Sequence, residues 1–175
     1  MLGYLILQYN YKYNKNITMN DITEYSLEPF IGKEGIQIFC ESGFFNNLKP
    51  FPNAVEVLER LSHKHEIFII THPMNGVCAM DKFTSFNKEL SFIPYKNIIM
   101  TSRKELINVD LLFDDCPEYL EKCSDKMITV VMDRLYNKNV DANYRIWRND
   151  WLGFGYLIES LCKPKTFSFT TSASS

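Results

Sequence analysis

The chain has 175 residues, of which 46% are hydrophobic and 23% charged, and its formal net charge is -2. That length fits one domain with a sizeable core and at most a small subdomain. The slight acidity argues against a nonspecific nucleic-acid binder, which needs a basic excess, and no apolar run approaches the ~20 residues of a spanning helix.

In chain order, YLILQYNYKY (4–13) predicts a helix, with Leu5, Tyr9 and Tyr13 at four-residue spacing. Its aromatic surface is expected to cover either this chain's own core or a second copy in a homodimer. In NITMNDITEYSLEPFI, Thr18 and Asp21 are turn or helix-start residues, and Pro29 is read as interrupting the pattern. Residues 33–42 form a second amphipathic piece ending at Gly43. From Pro50 the texture changes: a helix is expected over 53–62, with Val55, Leu58 and Leu61 on one face. The run IFIIT (67–71) reads as a strand covered on both faces. A helix over 79–90 follows, then strands NIIM (97–100), VDLLF (109–113) and MITVVM (127–132). Strands alternating with helical or looped connectors imply parallel crossovers, hence an α/β sandwich. The tail KPKTFSFTTSASS, taken as residues 163–175, is polar and expected to be flexible.

Cys40, Cys78, Cys116, Cys123 and Cys162 are odd in number and contain no C-x-x-C pair. Five buried or half-buried thiols in a reducing cytoplasm fit better than a disulfide framework or structural zinc. The opening residues lack a basic start and a small-residue cleavage site, so no secretory signal is expected.

In open parallel sheets, ligands bind at the carboxyl ends of strands. Those ends carry Thr71 and His72, then Thr101 to Lys104, then Asp114 and Asp115. A hydroxyl with a neighbouring N–H holds phosphate oxygens, Lys neutralises them, and carboxylates hold Mg²⁺ through hard oxygen ligands. Each residue alone has an ordinary structural use, and a lone His72 carries little. The joint order, Thr then Lys then Asp-Asp, is what points to a phosphate ester with Mg²⁺. Response-regulator receivers place their acidic pair before the Thr and Lys, the reverse of this order.

With SGFFNNLKPFPNAVEVLERL (42–61), EIFIITHPM (66–74), SRKELINVDLLFDDCPE (102–118) and NDW (149–151), residues 4 to 160 resemble the 5′(3′)-deoxyribonucleotidase family of haloacid-dehalogenase-like phosphohydrolases. The resemblance implies a HAD-like three-layer sandwich with a parallel, Rossmann-like sheet. It implies a small helical cap over residues 1–48, an α/β core over 49–162, and a nucleoside monophosphate as substrate rather than a nucleic-acid polymer or a membrane. Thr71, helped by the backbone N–H of His72, would hold the phosphoryl group. Lys104 would steady it, Lys82 would lie near it, Asp114 and Asp115 would bind Mg²⁺, and Phe44 and Phe45 would shape the nucleoside pocket. Thr71 and Lys104 would be the catalytic pair.

The sequence departs from the family in one respect. The family's first strand ends in D-x-D, whose first Asp attacks phosphorus and whose second protonates the leaving oxygen. Here the first Asp is Asp21, in NDITEY, which matches a cap turn. The central strand between those bearing Thr71 and Asp114 is therefore expected to be missing. Its neighbours would pair directly, leave ladder groups unpaired, or recruit a substitute such as YLILQY. Activity of the chain is expected to be impaired. A non-catalytic nucleotide-binding or regulatory module derived from the same family is the alternative.

Overall fold

A computed structural model describes residues 1–162, and the tail expected to be flexible lies outside the described residues. The first quarter is helical. Helix α1 (Leu2–Tyr13) ends where Asn14 takes the left-handed conformation (φ 49°), a position asparagine tolerates well. YLILQY is thus helix and no substitute strand. The Asn10 side chain brackets the next segment, accepting from the N–H of Ile17 and donating to its carbonyl. Pro29 does not interrupt helix α2 (Glu28–Gln37), whose break falls instead at Gly32 (φ 61°, ψ -179°). The proline sits in the first turn, where an amide N–H would have no partner in any case. A 3-10 turn, Ile38–Cys40, follows. These elements bury Leu5, Tyr9, Ile31, Ile38, Phe39, Phe44 and Phe45 in one cluster, which also takes in Cys78.

Among the described residues, five strands, parallel within each sheet, and four helices follow: α3 (Ala54–Ser62), β1 (Ile69–Thr71), α4 (Gly76–Glu89), β2 (Ile98–Met100), β3 (Leu111–Asp114), α5 (Pro117–Cys123), β4 (Ile128–Met132), β5 (Tyr144–Ile146) and α6 (Trp151–Leu161). Around β3 and β4 the layers follow from side-chain alternation. Leu112 and Val131 point to α5, where Leu120 and Cys123 are wholly buried. Leu111, Phe113 and Val130 point the other way, to Val57 and Leu61 of α3 and Phe154 of α6. The two outer helices touch closely at Gly155: a Cβ there would lie 2.6 Å from Arg60 Nη2 and 3.0 Å from Val57 Cγ1. On α3 the buried set is Ala54, Val57 and Leu61, not the expected Val55, Leu58 and Leu61. Val55 and Leu58 instead border a cavity described below.

Among the described residues the strands form two sheets, β1–β2 and β3–β4–β5, and β1 shares no ladder with β3. The side of β1 away from β2 and the side of β3 away from β4 are therefore unpaired edges. Ile69, Ile70 and Thr71 are all only half-buried, so β1 is not the doubly covered strand its unalternating sequence suggested. Of the thiols, Cys78, Cys116 and Cys123 are buried and Cys40 half-buried, while Cys162 is exposed, contrary to expectation. No described helix is long and apolar enough to cross a membrane.

Leu120 packs α5 against the larger sheet and has no exposed surface. Leu120→Ala is expected to cost about 2–5 kcal/mol, read as a lower midpoint in urea at unchanged slope.

Candidate functional site

The two sheets present their carboxyl ends to one region. Thr71 closes β1, and its carbonyl accepts from the N–H of Thr101 at 2.8 Å, which aligns the ends of β1 and β2. From α4, whose N-terminus is capped by Asn75 accepting from the Cys78 N–H, Lys82 reaches back. Its Nζ donates to Thr71 Oγ1 at 2.9 Å and to the His72 carbonyl at 3.0 Å. Burial pushes the Lys82 ammonium below the usual lysine range, and the nearby charge of Lys104 adds to that.

Lys104 belongs to the 3-10 turn after β2 (Lys104–Leu106), on the β1–β2 side. Its partner is across the divide: Nζ lies 2.5 Å from Asp114 Oδ2, with the two side chains 11% and 8% exposed. A second bridge links His72 Nδ1 to the Tyr119 hydroxyl at 3.3 Å, and Lys104 Nζ sits 4.6 Å from the centre of the same Tyr119 ring. Thr71, His72, Lys82, Lys104, Asp114 and Asp115 therefore form one connected rim, although they arise from two sheets. His72 itself is exposed.

The two aspartates are held differently. Asp114 Oδ1 accepts the N–H groups of Asp115 and Cys116 at 2.8 and 3.0 Å, so both its oxygens are engaged. Asp115 accepts from the Tyr136 hydroxyl at 2.6 Å through Oδ2, with Arg134 Nε 4.0 Å away. Burial holds the Asp115 carboxyl above its ordinary range; the Tyr136 bond opposes this and the Asp114 charge adds to it. Mg²⁺ is commonly held by one or two carboxylates with water and substrate phosphate completing its shell. The adjacent pair matches that sparse requirement, with Asp115 the better-placed member. Among the described residues no group of three or more His, Cys, Asp or Glu side chains gathers.

Phe44 and Phe45 have different surroundings. Phe44 packs inside the helical cluster against Tyr4 and Phe39, whereas the Phe45 ring lies 4.7 Å from Lys82 Nζ. Phe45, Lys82, Ile69, Val55, Leu58, Phe86 and Trp151 line a largely apolar cavity of about 270 Å³. Among the described residues, Trp151 Nε1 is buried there with no hydrogen-bond partner.

Residues 1–160 match the family model described as 5′ nucleotidase, deoxy (pyrimidine), cytosolic type C protein. The chain belongs to that family. A Clostridium acetobutylicum protein named 5′(3′)-deoxyribonucleotidase is 32% identical over 160 residues, covering 89% of this chain and 86% of the relative. A putative 5′(3′)-deoxyribonucleotidase of Staphylococcus epidermidis is 30% identical over 158 residues, covering 85% of each. The mitochondrial 5′(3′)-deoxyribonucleotidase of Mus musculus is 31% identical over 96 residues, 53% of this chain and 44% of that protein.

Several rim residues of this nucleotidase-family chain escaped the sequence reading. Tyr136 and Arg134 follow β4, and Asn137 Nδ2 donates to the Asp115 and Met132 carbonyls. The strand-end rule that found Thr71 and Asp114, applied to MITVVM, leads directly to DRLYN (133–137). Tyr119 had a weaker signal: it is the third residue of the helix that the acidic pair introduces. Asp81, outside the rim, accepts from the Phe45 N–H at 2.7 Å, and nothing in the sequence marked it beyond its place before Lys82.

Proposed function

We propose that the rim binds the phosphate of a deoxynucleoside monophosphate and derives from 5′(3′)-deoxyribonucleotidase-type phosphoryl chemistry, with turnover impaired in this chain. The observation that carries this reading is the joint placement of Lys82 on Thr71 and of Lys104 on Asp114. The phosphate oxygens would take the Thr71 hydroxyl, the His72 N–H and the two ammoniums. Charge-assisted bonds of this kind are roughly twice as strong as neutral ones. Asp115, with Asp114, would hold Mg²⁺, which when bound neutralises charge on the phosphoryl oxygens. Phe45 would offer the nucleoside an apolar wall, with Phe44 behind it, and residues 1–48 would serve as the cap.

Impairment follows from the nucleophile. Covalent phosphoryl transfer needs an activated nucleophile, which in the family's chemistry is a carboxylate. Asp114 is tied to Lys104 and two N–H groups, Asp115 would be taken up in holding the metal, and no third acid joins them among the described residues. Among the described residues Thr71 has no neighbouring carboxylate or imidazole to act as its base: its hydroxyl accepts from an ammonium, and His72 is bonded to Tyr119 instead. A nucleotide-binding or regulatory role is favoured by the same facts. Cytoplasmic location fits the free thiols. A homodimer through α1 would cover Leu7 and Tyr11, which are 62% and 90% exposed.

Deoxynucleoside monophosphates with Mg²⁺ are expected to raise the melting temperature of the chain, and chelation is expected to shrink that shift. Inorganic phosphate release is expected to stay at the background rate. Absence of any nucleotide-dependent shift overturns the binding reading, and rapid phosphate release overturns the impairment.

A further inference from the structure

We infer that Asp81 is a positioning residue for nucleoside recognition, fixing the Phe45 ring relative to the phosphate-facing Lys82; this rests on the nucleotide reading above. Asp81 lies on α4, is only 6% exposed, and touches none of the rim groups. All of its hydrogen bonds go to one turn. Oδ1 accepts from the Gly43 N–H at 3.0 Å and from Asn46 Nδ2 at 2.8 Å. Oδ2 accepts from the N–H groups of Phe45 at 2.7 Å and Asn46 at 3.3 Å.

A buried carboxylate is costly unless its lone pairs are met. Here one turn meets them, so the turn and α4 move as a unit. The turn has the shape to do this because Gly43 adopts φ +86°, which a side chain resists. Directly after Asp81 comes Lys82. Successive helical residues project about 100° apart, so α4 directs one side chain to the Phe45 backbone and the next to Thr71. The outcome is the 4.7 Å approach of Lys82 Nζ to the Phe45 ring. A ligand with an anionic phosphate and an apolar base or sugar reads that separation; a bare phosphate does not. Asp81 thus sets the preference for a nucleoside monophosphate over inorganic phosphate without meeting either.

The test measures binding of dTMP and of inorganic phosphate, each with Mg²⁺, to wild type, Asp81→Asn, Phe45→Ala and the double variant. Asparagine keeps the shape but turns two of the four acceptor contacts into donor–donor clashes. Asp81→Asn is expected to weaken dTMP about tenfold while phosphate changes less than about twofold, and the double variant is expected to match Phe45→Ala alone. Equal weakening of both ligands, or losses that multiply in the double variant, overturns the inference and leaves the proposed function standing. Wild type that binds neither ligand overturns both. If Asp81→Asn does not fold, Asn46→Ala, which removes one of the four bonds, is expected to give the same selective weakening at about threefold, and no selectivity there overturns the inference.

Discussion

Lys104→Met is expected to abolish measurable phosphate binding and to lower the melting temperature by roughly 6–12 °C. The Lys104–Asp114 pair is nearly enclosed, and removing one member of such a pair leaves a buried charge without its counter-ion, at a cost of about 3 kcal/mol or more. For a chain of this size 1 kcal/mol corresponds to about 2–4 °C. The loss goes beyond electrostatics, because Lys104 follows β2 while Asp114 ends β3, in the other sheet. A paired replacement separates the two effects. Lys104→Met with Asp114→Leu removes both charges, so much of the melting temperature is expected to return, whereas phosphate binding is not. Calorimetric titration with inorganic phosphate and a thermal melt read the two quantities. Unchanged phosphate affinity in Lys104→Met would remove this lysine from the site.

Asp133→Ala, just past the end of β4, is expected to cost about 3–5 kcal/mol. Asp133 is 1% exposed and accepts from Lys138 Nζ at 2.9 and 2.7 Å and from Arg145 Nη1 at 3.0 Å. Arg145 also donates to the Asn137 side chain and carbonyl, and Asn137 in turn holds the Asp115 carbonyl. Weaker Mg²⁺ binding is therefore expected alongside the lost stability. The pH dependence has a definite sign. Burial alone would raise the Asp133 carboxyl, but Lys138 and Arg145 outweigh it and hold it below the usual carboxylate range. A group whose folded value is depressed contributes fully above its unfolded value, near ~4, and loses that contribution as pH falls through the folded value. Wild type should thus lose stability on acidification below about pH 4 more steeply than Asp133→Asn. Denaturant melts from pH 7 to pH 2 check it, and parallel acid profiles would mean that Asp133 is not held ionised by its partners.

Sequence reading located the helices and strands whose pattern is local. The spacing of Leu5 and Tyr9 marked α1, and the β-branched runs IIT, IIM and ITVV marked three strands. It missed α5, β5 and α6 for different reasons. Helix α5 has seven residues, too short for a period to show. Strand β5 is three residues, too short for alternation to show, and is held in register against Val130 to Met132. In α6, Asp150 accepts from the Gly153 N–H, a start signal that NDW contained but that was read only as a motif. Pro29 was misread because a proline ends one helix or opens another according to which side the apolar period lies.

At the rim, the residues found were those that chemistry makes conspicuous at strand ends: Thr71, Lys104, Asp114 and Asp115. Tyr136 lay within reach of the same strand-end rule, applied one strand further on, although its bond to Asp115 spans 21 residues and carried no local signal. Asp81, outside the rim, is 38 residues from the Gly43 N–H that it accepts, a separation no local pattern encodes.

The division into two ladders has a mechanical corollary. An isolated two-stranded ribbon is only marginally stable, so the smaller ladder, whose strand ends bear Thr71 and Lys104 and whose crossover helix α4 bears Lys82, is expected to open more readily than the acidic half beside it. A bound phosphate or metal complex gripping both halves would act as a rivet, and part of its binding free energy would go into closing that seam.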